Sequence, residues 1–189
     1  VRIKRAEEPH DIVQMQGGLS LDASRTVSAW VKMSNFTTIN SFVRRIVCNR
    51  SNNDNPFSLT TVNSSRPGFA FIVGPSDTAP APGNQQIGAQ YVSDDELGKK
   101  IKGKWVQVVG VFNHSSSEVH IFINGVDTGV DRTSRKVGYK TSKRHVLAIG
   151  NYPEPGYGVE GQIDDIRIYN RALSEAEVKA LYEFEKVKP

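Results

Sequence analysis

One cysteine, Cys48, in 189 residues excludes an internal disulfide framework and a cysteine-rich zinc site. No apolar run approaches the ~20 residues of a membrane helix, so no membrane insertion is expected. A basic-then-apolar opening is also missing, and the expectation is that any signal peptide lies outside this chain. The four histidines, His10, His114, His120 and His145, show neither H-x-H nor H-E-x-x-H spacing. G-x-S-x-G and a cysteine nucleophile motif are absent too. Sixteen glycines and nine prolines are close to average, which removes collagen-like and low-complexity readings. Leucine is scarce: seven, against 43 Val, Ile and Thr together. Side chains branched at Cβ suit a pleated surface and lose rotamer freedom in a helix, so the ratio points to a mostly β protein.

The net charge of +4 is concentrated in two places. Lys99, Lys100, Lys102 and Lys104 form one basic cluster; Arg132, Arg135, Lys136, Lys140, Lys143 and Arg144 form the other. No aromatics interleave with them as in an RNA-binding sheet, so they read as solvated loops and no nucleic-acid partner is expected.

Residues 1–10 read as a polar lead-in or linker, and 11–189 as a single domain. Asp11–Met15 is a short strand candidate. Thr26–Met33 alternates with period 2: Val27, Ala29, Val31 and Met33 on one face, Thr26, Ser28, Trp30 and Lys32 on the other. Trp30 on the polar side is large enough to mark a second packed surface. Further strands are expected at Phe42–Asn49, Phe57–Val62, Phe69–Val73 and Ile87–Val92, the last inside a long loop spanning 74–104. Trp105–Phe112 is apolar on both faces and predicts a strand covered on both sides. Glu118–Ile123 follows, then Asn124-Gly125, a type I′ hairpin signal because both positions need positive φ. His145–Gly150 and Val159–Tyr169 complete the strands.

Ser174 and Glu177 form an S-x-x-E capping box, with Leu173 and Val178 at the staple positions. Val178, Leu181 and Tyr182 continue one apolar stripe, which predicts a helix over 174–184. Many short strands and one late helix predict an all-β fold, a two-sheet antiparallel β-sandwich or jelly roll with one short C-terminal α-helix.

Three segments resemble the laminin-G-like jelly rolls of the concanavalin-A-like lectin/glucanase superfamily. They are Thr26–Lys32, Gly103–Phe112 leading to Ile121–Gly125, and Gly161–Tyr182; Ile149-Gly-Asn151 fits the penultimate strand. Order and spacing match over roughly residues 11–183. The resemblance implies a secreted or cell-surface domain, a piece of a larger multidomain polypeptide, binding glycans or proteins and frequently holding calcium. Fold alone does not assign function. The superfamily's glucanases carry Glu-x-Asp-x-x-Glu on a strand, and here Glu160-Gly-Gln-Ile-Asp164-Asp165 has Gln162 at the middle carboxylate position. Catalysis is therefore not expected.

Calcium would draw on Asp164 or Asp165 with loop carbonyls. With Ile166 and Ile168 inward, Asp164 is expected on their face, and Asp165, Arg167 and Tyr169 on the other. In the Pro/Gly-restrained loop 151–158, Tyr152 and Tyr157 could stack on sugar rings beside Asn151, and Asp165 and Arg167 extend the candidate ligand surface. The expected function is a noncatalytic extracellular binding or adhesion module for a glycan. The alternatives are a structural domain packed within a larger surface protein and a divergent glycoside hydrolase.

Overall fold

The computed structural model describes residues 13–16, 24–34, 36, 43–51, 54–62, 68–74, 87–92, 101–132, 146–151 and 158–186. Its strands are β1 (Val13–Gln16), β2 (Arg25–Met33), β3 (Arg45–Ser51), β4 (Asp54–Thr61), β5 (Gly68–Val73) and β6 (Ile87–Val92). The second half adds β7 (Trp105–Asn113), β8 (Glu118–Ile123), β9 (Val126–Arg132), β10 (Val146–Ile149) and β11 (Gly161–Tyr169), and ends on helix α1 (Glu175–Glu185). The lead-in 1–10 and residues Tyr152 and Tyr157 lie outside the described residues.

Two sheets form the sandwich. The six-stranded sheet runs β1-β10-β3-β4-β5-β6 and the five-stranded sheet β11-β2-β7-β8-β9. Pairing is antiparallel throughout, for example Val31 opposite Val106 and Leu59 opposite Phe71. Period-2 alternation delivers the core: Val27, Ala29 and Val31 from β2 meet Val47, Phe57, Leu59 and Phe71 across the gap, all fully buried. At the centre, β7 approaches Phe71 so closely that a Cβ on Gly110 would lie 2.0 Å from the Phe71 Cγ. A glycine is required there because the phenyl ring lies against its backbone.

The five-stranded sheet has a second buried face. Val109, Val111 and Phe122 point outward and pack with Leu173 and Val178 of the helix and its approach. That explains why β7 is apolar on both sides. Ser174 accepts from the Glu177 backbone N–H, and Glu177 accepts from the Ser174 N–H, so the capping box is formed. The Thr26 hydroxyl ties this segment down from β2, donating to the Arg171 carbonyl and accepting from the Leu173 N–H.

Three features differ from the sequence reading. Strand β9 carries Asp127, Gly129 and Asp131 and has no clear hydrophobic alternation, so only the hairpin before it is legible. That hairpin has positive φ at both Asn124 (51°) and Gly125 (78°). On the open side of the sandwich β9 approaches β6, and the Gly88 N–H donates to Asp131 Oδ2 at 3.1 Å.

The third difference is in β11. Asp164 pairs with Trp30 and Arg167 with Ser28, so three steps on β11 match two on β2. One extra residue makes a β-bulge, and Asp165 takes the positive φ of 44° beside it. Ile163 before the bulge and Ile166 and Ile168 after it all pack on the core. Asp164 consequently faces outward with Trp30, the opposite of the side expected from unbroken alternation.

Candidate functional site

The outer face of β2, β7 and β11 meets the C-terminal end of α1 in a cleft of about 300 Å³. Trp30, Trp105, Tyr182, Asp164, Asp165, Glu185 and Lys186 line it. Each is placed by local structure. Trp30 stands on the outward register of β2, and Trp105 opens β7 opposite Lys32. The bulge pushes Asp164 and Asp165 toward the same side. Tyr182 and Glu185 continue the inward stripe of α1 one turn apart.

Trp30 and Tyr182 stack, with ring centroids 5.9 Å apart and planes inclined by 20°. Trp105 keeps 36% of its surface exposed, so one large aromatic remains open to a ligand. Lys186 holds its ammonium over the Tyr182 ring, 5.6 Å from the centroid, and pairs with Glu183.

Glu185 organises the floor. It is 1% exposed, an unusual position for a carboxylate. Its Oε2 accepts from the Trp30 indole N–H and from the Gln107 amide, both at 2.8 Å. Its Oε1 accepts from the Arg167 guanidinium at 2.5 Å. An anion at a helix C-terminus opposes the macrodipole, and a buried one carries a desolvation cost. Three N–H donors offset both. The same bond to Glu185 raises the Arg167 pKa above its ordinary value, since losing the guanidinium proton would strand the carboxylate.

Of the residues singled out in the sequence, Asp164 and Asp165 line the cleft, while Arg167 braces it from beneath through Glu185. Asn151 is buried at the start of the loop that leads into β11 and does not line this cleft. That loop is fastened at its base: the Val159 N–H donates to the Gly150 carbonyl, and buried Arg44 donates to the Gly158 carbonyl and to Glu160. Sequence reasoning missed Trp105, Tyr182, Glu185 and Lys186 as site residues. A signal for Glu185 existed, because it falls seven residues after Val178 on the apolar stripe. His120 is the sheet-face histidine expected; its Nδ1 lies 2.7 Å from Asp127 Oδ2.

For calcium, Asp164 and Asp165 bring two carboxylates to one wall. Among the described residues no group of three or more His, Cys, Asp or Glu side chains comes together. The third carboxylate of the cleft, Glu185, already has both oxygens committed to N–H donors. Among the described residues the side chains alone supply fewer oxygens than the ~6–8 a calcium ion takes, so carbonyls or water would have to complete a site on this wall.

The laminin-G-type family model described as the concanavalin A-like lectin/glucanases superfamily matches residues 10–179. No curated protein sequence matches significantly. Among solved structures, the receptor-binding domain of botulinum neurotoxin C/D mosaic serotype superposes with a TM-score of 0.70 at 16% identity, covering 99% of this chain and 43% of that one. The botulinum neurotoxin serotype D binding domain gives 0.67 at 15% identity, covering 99% and 42%. The binding domain of botulinum neurotoxin DC in complex with SialylT gives 0.61 at 15% identity, covering 86% and 35%. The chain thus spans about two-fifths of the toxin domains it most fully overlays. At such identities the likeness is one of fold.

Proposed function

The chain belongs to the laminin-G-like family of the concanavalin A-like lectin/glucanase superfamily, and from that membership we propose that it is a noncatalytic extracellular binding module whose ligand is a glycan held in the Trp30–Trp105–Tyr182 cleft. One observation carries the reading. Half-open Trp105 and the Trp30–Tyr182 stack share a cleft with two carboxylates, Asp164 and Asp165. Aromatic faces suit the C–H faces of a sugar ring, and carboxylates accept its hydroxyl protons. The solved neighbours are receptor-binding domains, one of them in complex with SialylT, which supports ligand binding on this architecture.

The noncatalytic part is supported by the chemistry of the carboxylates. Retaining glycosidases set two ~5 Å apart across the scissile bond, with both available to the substrate. Here Asp164 and Asp165 are consecutive on one wall, and Glu185 is buried beneath three donors.

A second reading is that of a domain packed against the rest of a larger polypeptide. Val126 and Val130, 62% and 46% exposed on β9, favour it, because burying them would remove apolar surface from water. A glycan array separates the two. Binding of the wild type that Trp105→Ala abolishes supports the glycan module; no binding to any glycan supports the packed domain.

A further inference from the structure

Resting on the glycan reading of this cleft, we propose that the bound glycan carries a free, protonated amino sugar. The chain as a whole is basic, at +4, yet three carboxylates and one ammonium line the cleft. Adding Arg167, which closes on Glu185, leaves three carboxylates against two cations, with Lys32 across the strand pair from Trp105 outside the lining. The polar groups presented there are mainly acceptors. Asp164 is exposed on the outer face, with one oxygen taking the Asp165 backbone N–H at 2.9 Å.

Gln107 lies beneath the cleft floor, outside its lining. It is fully buried, sits directly opposite Trp30 in the strand pair, and directs its amide N–H to Glu185. Its Oε1 is buried without a hydrogen-bond partner. Asp164 and Asp165, acceptors beside the aromatic faces of the cleft, suit a ligand rich in N–H donors.

The aromatic surfaces make the same selection. A cation within ~6 Å of a ring centroid is attracted by the ring quadrupole. The cleft already holds one ammonium in this way, Lys186 Nζ over Tyr182 at 5.6 Å. An amino sugar presents both elements the cleft suits: a C–H face for Trp105, and an –NH₃⁺ for Asp164 and Asp165.

The test is calorimetric titration of the protein with a glucosamine tetrasaccharide and with its fully N-acetylated counterpart, at pH 5.5 and at low and high salt. Acetylation removes the charge and leaves the ring stacking. The free-amine sugar is expected to bind about tenfold more tightly or better, a preference that high salt shrinks. The near-isosteric double variant Asp164→Asn, Asp165→Asn should bind both sugars alike. Equal affinity of the wild type for the two sugars, with both lost in Trp105→Ala, would overturn the amino-sugar inference and leave the glycan reading standing. Binding of neither sugar, or of a lysine-rich peptide alone, would overturn the inference; an empty glycan array alongside would bring down the glycan reading with it.

Discussion

The indole N–H of Trp30 donates to Glu185 Oε2 at 2.8 Å across 155 positions of sequence, joining the second strand to the last turn of α1. This bond makes the helix end and the cleft floor one unit. Removing the carboxylate leaves Trp30 Nε1, Gln107 Nε2 and the Arg167 guanidinium without their shared acceptor. Glu185→Ala is expected to cost about 2–4 kcal/mol in chemical denaturation, below the usual range for a broken buried pair because Arg167 is 36% exposed and can reach water. Glu185→Gln, which keeps an acceptor oxygen, should cost less. Equal losses for the two variants would show that the packing of the side chain, rather than its oxygens, holds the helix end.

Gly110 tests the inter-sheet packing. A methyl group there would sit 2.0 Å from Phe71 Cγ, so the sheets must part or the ring must move. Gly110→Ala should destabilise by about 1–3 kcal/mol or more. Combining it with Phe71→Leu should cost less than the sum of the two single changes, since the smaller side chain releases the clash. Additive losses would place the strain elsewhere.

Much of this was legible from sequence. Period-2 alternation in β2, the Asn124-Gly125 hairpin and the Ser174–Glu177 box each have a local physical cause, and all three stand in the structure. The bulge in β11 has no such local signature: its extra residue is defined only against β2, so unbroken alternation puts Asp164 on the wrong face. The cleft was illegible for a related reason. Trp30, Trp105 and Tyr182 come from three elements, and only the docking of α1 on the outer sheet brings them together. Trp30 on a polar face and a β7 apolar on both faces were the clues to that second surface.

Acid tests the helix cap. The Arg171 side chain, followed by the Ser174 backbone and hydroxyl, pulls the Glu177 carboxyl from 4.5 down to about 2. A lowered folded-state pKa means its stabilisation is present above pH 4.5 and is lost as pH falls through about 2. The protection of amides in the first turn of α1, relative to their intrinsic exchange rate at each pH, should fall over that window. In Glu177→Gln the same amides should exchange faster at neutral pH and lose this pH dependence. An unchanged acid profile in the variant would remove Glu177 as the cause.

Calcium is tested by melting. With only Asp164 and Asp165 bringing carboxylates to this wall beside the committed Glu185, the transition temperature is expected to be the same in chelator and in millimolar calcium. Binding to the folded state alone at ~100-fold above the dissociation constant would add ~2.7 kcal/mol, a shift of a few degrees. Such a rise, lost in the Asp164→Asn, Asp165→Asn double variant, would assign the ion to this wall.

The most direct measurement uses a property of the chain itself. It contains two tryptophans, and both line the cleft. Tryptophan emission therefore reports this site. Titrating the protein with an array-positive glycan should change the emission saturably, with the same dissociation constant that calorimetry gives. Calorimetric binding of that glycan with no change in tryptophan emission would contradict the account and place the site away from both tryptophans.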